Sequence, residues 1–136
     1  MLAALRTYRE HFEPSVQLDQ PHAMLGINAY VAPSRDEAHY LATSHQQAFL
    51  NLMRGVPGQL PPPVEDMEAL WQPHERHGVL STLAGTLVGD STTVAQQVND
   101  LLERTAVQEL IVNSSIYDQT ARRQSYTLLN DALRTL

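Results

Sequence analysis

The chain has 136 residues, and its formal net charge of -6 sets fifteen acidic groups against nine cations, all of them arginine. That length gives room for one domain and one core, and a hydrophobic share of 43% favours collapse over wholesale disorder. With no cysteine, disulfides, thiolate metal sites and thiol catalysis are excluded; with no lysine and no basic stripe, Schiff-base chemistry and nucleic-acid binding lose their support.

No apolar run is long enough to cross a bilayer. The segment Met1-Leu2-Ala3-Ala4-Leu5-Arg6 is too short and too soon charged for a secretory signal. The expected address is cytoplasmic, without a membrane partner.

In chain order, Leu2, Leu5, Tyr8, Arg9 and Phe12 recur at helical spacing and predict a helix over 2–13, ended by Pro14. The run Ala23 to Val31, bounded by Pro21 and Pro33, predicts a buried parallel strand over 23–31 in which Asn28 is the odd residue. Ser34-Arg35-Asp36-Glu37 reads as a capping box. The helix it opens, 35–53, places Ala38, Leu41, Ala42, His45, Ala48, Phe49 and Leu52 on one face. Residues 55–73 carry five prolines and form an irregular arm, three of them consecutive at Pro61, Pro62 and Pro63. Trp71 is expected to pin this arm to the body.

Glu75 to Leu87 reads as weakly helical, and Gly89 as a turn. Asp90 or Ser91 then caps a helix over 91–104 whose Val94, Val98, Leu101 and Leu102 face the core. A strand over 109–113 and a helix over 119–135 complete a single α/β domain, 1–136, with no repeat and no clear linker.

Chemistry-bearing patterns are sparse. His74 and His77 lie one helical turn apart, but Arg76 stands between them and no third ligand is placed, so no metal site is expected. His39 and His45 read as structural. There is no G-x-S-x-G elbow, no G-x-G-x-x-G and no P-loop, and no catalytic residue can be named. Position supplies what remains. Asn28 with Tyr30 lies on the first strand, and Asn113, Ser114, Ser115 and Tyr117 follow the second. In a barrel of parallel strands such places form the ligand-facing rim.

Several segments together resemble the C-terminal portion of luciferase-like, flavin-dependent monooxygenases. They are Tyr8 to Ser15 with Gln17-Leu18-Asp19, Gln46 to Leu50, and the arm from Arg54 to Pro63. Leu87 to Asp90, Glu109 to Val112, Ile116-Tyr117-Asp118 and Arg122 to Tyr126 complete the set. The resemblance implies part of a (β/α)8 barrel, with about two parallel strands plus helices and not a complete barrel, which takes about 250 residues. Residues 23–31 would be barrel strand seven and 109–113 strand eight.

It also implies reduced flavin mononucleotide (FMN) as cofactor, with dioxygen and a small organic substrate. Asn28, Asn113 and Ser115 are the implied cofactor-binding residues. Two departures stand out: Thr92 and Thr93 replace the usual proline and glutamate, and Thr105-Ala106 lacks the glycine expected at the end of that helix. The chain alone is expected to be inactive, and either to self-associate or to pair with a missing N-terminal half. The alternative is a non-catalytic dimerisation module derived from the barrel tail.

Overall fold

The apolar run between Pro21 and Pro33 forms β1 (Met24–Val31), and its alternation decides what each face of the sheet meets. In the computed structural model, which describes residues 1–134, β1 is the central strand of a three-stranded parallel sheet. On one side it pairs with β2 (Leu87–Gly89), in the register Ala29↔Leu87 to Val31↔Gly89. On the other it pairs with β3 (Glu109–Asn113), from Met24↔Glu109 to Asn28↔Asn113. The helices are α1 (Leu2–Glu10), α2 (Arg35–Met53), α3 (Pro73–Thr82), α4 (Ser91–Thr105) and α5 (Gln119–Leu133). The expected last helix residue at 135 lies outside the described residues.

The odd-numbered residues of β1 build the main core. Ile27, Ala29 and Val31 pack with Leu87, with Val94, Val98 and Leu101 of α4, and with Leu129 of α5. Burying one such side chain contributes about 1.5–3 kcal/mol, so α4 and α5 hold the sheet chiefly through this layer. The even-numbered residues face the other way. Tyr30 is buried against Ala38, Leu41, Ala42 and Ile116, but Met24 is 54% exposed, and Ile111 of β3, on the same face, is 57% exposed. β1 is therefore buried on both faces only in its second half, which corrects the expectation of a strand buried throughout.

A third cluster fastens the proline arm. Trp71 and Met67 pack with Leu50 of α2 and Val79 of α3. Arg54 closes the arm at its base, donating to both carboxylate oxygens of Glu75 at 2.7 Å and to the Leu70 carbonyl at 2.9 Å. Leu52, expected on the buried face of α2, is exposed instead.

Local chemistry sets the boundaries. Pro14 has no N–H to offer the Glu10 carbonyl, so α1 ends at Glu10 rather than at 13. Ser34 caps α2 by accepting from the Glu37 amide. Pro73 belongs to α3, at its first turn, where a missing N–H costs nothing. α3 stops at Thr82, so the helical expectation up to Leu87 is corrected: Leu87 opens β2, a strand the sequence reading did not contain. Asp90 caps α4, accepting from Thr93 N at 2.8 Å. At the other end of α4, Ala106 sits in the left-handed region (φ 46°). Arg9 of α1 covers that terminus, donating to the carbonyls of Thr105 and Ala106 at 2.6 and 2.8 Å.

Candidate functional site

Parallel register brings residues 85 apart in sequence side by side at the C-terminal ends of β1 and β3. Asn28 and Asn113 are register partners, and the Asn113 side-chain amide donates both to Asn28 Oδ1 and to Ser115 Oγ, each at 3.1 Å. The three residues singled out from the sequence are thus one hydrogen-bonded cluster. Asn113 is exposed; Asn28 and Ser115 are half-buried.

The β3–α5 connection holds the cluster in place. Asp118 caps α5 by accepting from Thr120 N and Ala121 N. From α5, Tyr126 accepts from Ser114 N at 3.0 Å, and Ser125 accepts from the buried Val31 N–H at 2.9 Å, just beyond the end of β3. Beside the cluster is an opening of about 420 Å³ lined by Asn113, Ser114, Ser115, Tyr117 and Arg122, with Leu60 of the arm as an apolar wall.

Behind Ser115 the network continues inward. The Ser115 hydroxyl and backbone hydrogen-bond the Tyr30 hydroxyl, which in turn shares a hydrogen bond with Nδ1 of the buried His45 at 2.5 Å. The His45 ring stacks on Phe49, with centroids 5.1 Å apart, and its Nε2 is buried without a partner among the described residues. Burial pushes the Tyr30 phenol up to about 12, although the Ser115 hydrogen bonds pull the other way. Burial also holds the His45 imidazole below its ordinary value. At neutral pH Tyr30 is therefore protonated and His45 neutral.

No protein-family model matches the chain. It is, however, 42% identical over 136 residues to the "Luciferase-like monooxygenase" of Escherichia coli (strain K12), a match covering 100% of this chain and 41% of that protein. YvbT of Bacillus subtilis (strain 168) is 41% identical over 128 residues, covering 94% of this chain and 38% of YvbT. The crystal structure of apo-MsnO8 has the same fold over 99% of this chain and 41% of its own, with a TM-score of 0.78 at 24% identity. The chain is a C-terminal portion of a luciferase-like family.

It spans about two fifths of the length of the relatives it matches. The open sheet of this luciferase-like portion is correspondingly part of a barrel and not a closed one.

Other sites weighed from the sequence do not assemble. Among the described residues no three His, Cys, Asp or Glu groups gather where a metal could be held. No described helix is long and apolar enough to cross a membrane. His45, read from the sequence as structural, is joined to the rim through Tyr30. The signal for it was a lone imidazole on the otherwise apolar stripe of α2, which specifies burial but not a partner.

Proposed function

We propose that this luciferase-like portion supplies one wall of a reduced-FMN site in an O2-dependent monooxygenase of the cytoplasm, and that it does not turn over substrate by itself. The observation carrying this reading is the Asn28–Asn113–Ser115 cluster at the C-terminal ends of two adjacent parallel strands, the end at which barrel enzymes collect their chemistry.

The groups present fit the cofactor in kind. Amides and a hydroxyl match the hydrogen-bonding edge of a flavin, and Arg122, beside the same opening, matches a phosphate. When bound, reduced FMN supplies the electrons with which dioxygen is activated and an organic substrate oxidised. This chain's contribution is to bind and orient. Asn28 and Asn113 hold each other's amides in fixed orientation, and Tyr30 with His45 fixes Ser115 from behind. The exposed face around Met24 and Ile111 offers only one side of a cavity, so exclusion of water falls to groups beyond this chain.

The test is an anaerobic titration of the chain with reduced FMN, followed by the NMR signals of the Asn28 and Asn113 side-chain amides. Shifts centred on those amides and lost in Asn113→Ala are expected. Shifts centred elsewhere, or none at millimolar flavin, would sink the proposal. The second reading, a non-catalytic pairing module, is favoured by the exposed apolar face of β1 and β3 and expects no flavin response.

A further inference from the structure

β1 and β2 lie side by side at their ends, with Tyr30 and Val88 as register partners. α2 packs on both strands, and α3 packs on α2. Among these elements and the turn after α3 lies a cavity of about 310 Å³, lined by Ala42, Leu80, Leu83 and Val88 together with Tyr30 and His45. It shares no lining residue with the rim opening beside Asn113. Its size is at the small end for a ligand pocket.

One lining side chain is only half satisfied. His45 is 9% exposed and its Nδ1 is engaged by Tyr30, but its Nε2 has no partner among the described residues. A buried polar atom without a partner is costly, so a ligand group that meets it gains what the folded chain lacks. No Asp, Glu or Arg lines the cavity, so an ionised ligand would find no such countercharge there. His39 is a second imidazole of the lining, but among the described residues no third ligand for a metal gathers with the pair.

We propose that this cavity is a binding site for a small neutral alcohol, with its hydroxyl on His45 Nε2 and its apolar body against Leu80, Leu83 and Val88, and that occupancy is felt at Ser115. The chemistry of Nε2 selects the hydroxyl. A neutral imidazole offers either a donor or an acceptor at that atom, according to its tautomer, and a hydroxyl can serve as the partner of both. Nε2 is shielded from bulk water, so the hydroxyl meets little competition from solvent. The link to the rim follows from the bonds already in place. A hydrogen bond at Nε2 polarises the imidazole and so alters the bond at Nδ1. The Tyr30 hydroxyl, which shares that bond, is also the partner of the Ser115 hydroxyl and backbone.

The test is an NMR titration of the chain, nitrogen-labelled in its histidine rings and backbone, with benzyl alcohol, toluene and benzoate as probes. Benzyl alcohol should shift the His45 ring nitrogens and the Ser115 amide saturably and with one midpoint. It should bind about fivefold more tightly than toluene, which lacks the hydroxyl, and benzoate should not compete. Ala84→Trp, on an exposed residue of the lining, should fill the cavity and abolish both shifts. His45→Phe keeps a ring in place but removes Nε2, and should erase the preference for the alcohol while toluene still binds.

Equal affinity for the alcohol and toluene, tighter binding of benzoate, shifts that survive Ala84→Trp, or no saturable shift at millimolar benzyl alcohol would overturn the site. An unmoved Ser115 amide would overturn its link to the rim. The probes carry no flavin and are read at His45 rather than at the Asn28 and Asn113 amides. Failure here therefore leaves the reduced-FMN reading standing, and failure of that reading leaves this site standing.

Discussion

On the helix side of the sheet, Ile27, Ala29 and Val31 are buried beneath α4 and α5; on the opposite side Met24, Gly26 and Ile111 stand in solvent a few residues away. Both sets come from the same strands, in strict alternation. The covered side is complete in itself, with capped helices, a continuous apolar layer and Ser125 satisfying the last odd-numbered amide of β1. The open side has its polar rim in place but little apolar cover. The contrast separates what this chain needs in order to fold from what it offers to something else.

The sharpest way to break that contrast is to delete apolar volume on each side. Leu129→Ala, in the covered layer, should cost about 2–5 kcal/mol, whereas Ile111→Ala on the open side should stay within about 0.5 kcal/mol. Urea denaturation of the two variants decides, and equal costs would mean that the open face is covered in solution. Ser125→Ala leaves the buried Val31 amide unpaired and should cost about 1–3 kcal/mol in the same assay.

The opposite sign is expected at Ala106, which holds a left-handed conformation (φ 46°) that favours glycine. Ala106→Gly should stabilise by about 1 kcal/mol, since the strain of a side chain there is about 1–2 kcal/mol and glycine's extra freedom in the unfolded chain offsets part of it. A lower melting temperature in that variant would contradict the account.

The smallest effect concerns pH. Burial lowers the His45 imidazole below 6.5 in the folded chain, so on acidification the unfolded chain takes up this proton first. Stability must then fall as pH drops below about 6.5. His45→Gln should narrow the gap between urea midpoints measured at about pH 7.5 and about pH 5.5; an unchanged gap would remove His45 as its source.

Much of the covered side was legible in the sequence because it is written locally. α2 runs over Arg35–Met53 as read, opened by Ser34, and β3 occupies Glu109–Asn113 as read. Of the two cap candidates read for α4, Asp90 and Ser91, it is Asp90 that caps the helix. β2 was not legible, because three residues carry no periodicity and exist as a strand only through pairing with Ala29 to Val31. The exposure of Leu52 likewise depends on where α3 packs, which no local pattern records.

At the rim, the residue types and strand ends could be read. The bonds that join Asn28 to Asn113, and Tyr30 to His45, arise from register and packing between segments that the sequence does not align. For the same reason the Tyr30–His45 contact had no signature beyond an imidazole in an apolar stripe.

The arm offers a last consequence. Its feet are fastened independently of its tip. Arg54 ties the base, while Gln47 donates to Pro62 O at 2.9 Å and Thr43 accepts from Val64 N at 2.9 Å. Between those fastenings, the segment 56–61 delivers Leu60 to the wall of the rim opening. Lengthening a loop held at both ends is cheap, about 0.6 kcal/mol for each doubling. The contour of the opening can therefore be re-cut in one short surface segment while the strands that carry the amides stay as they are.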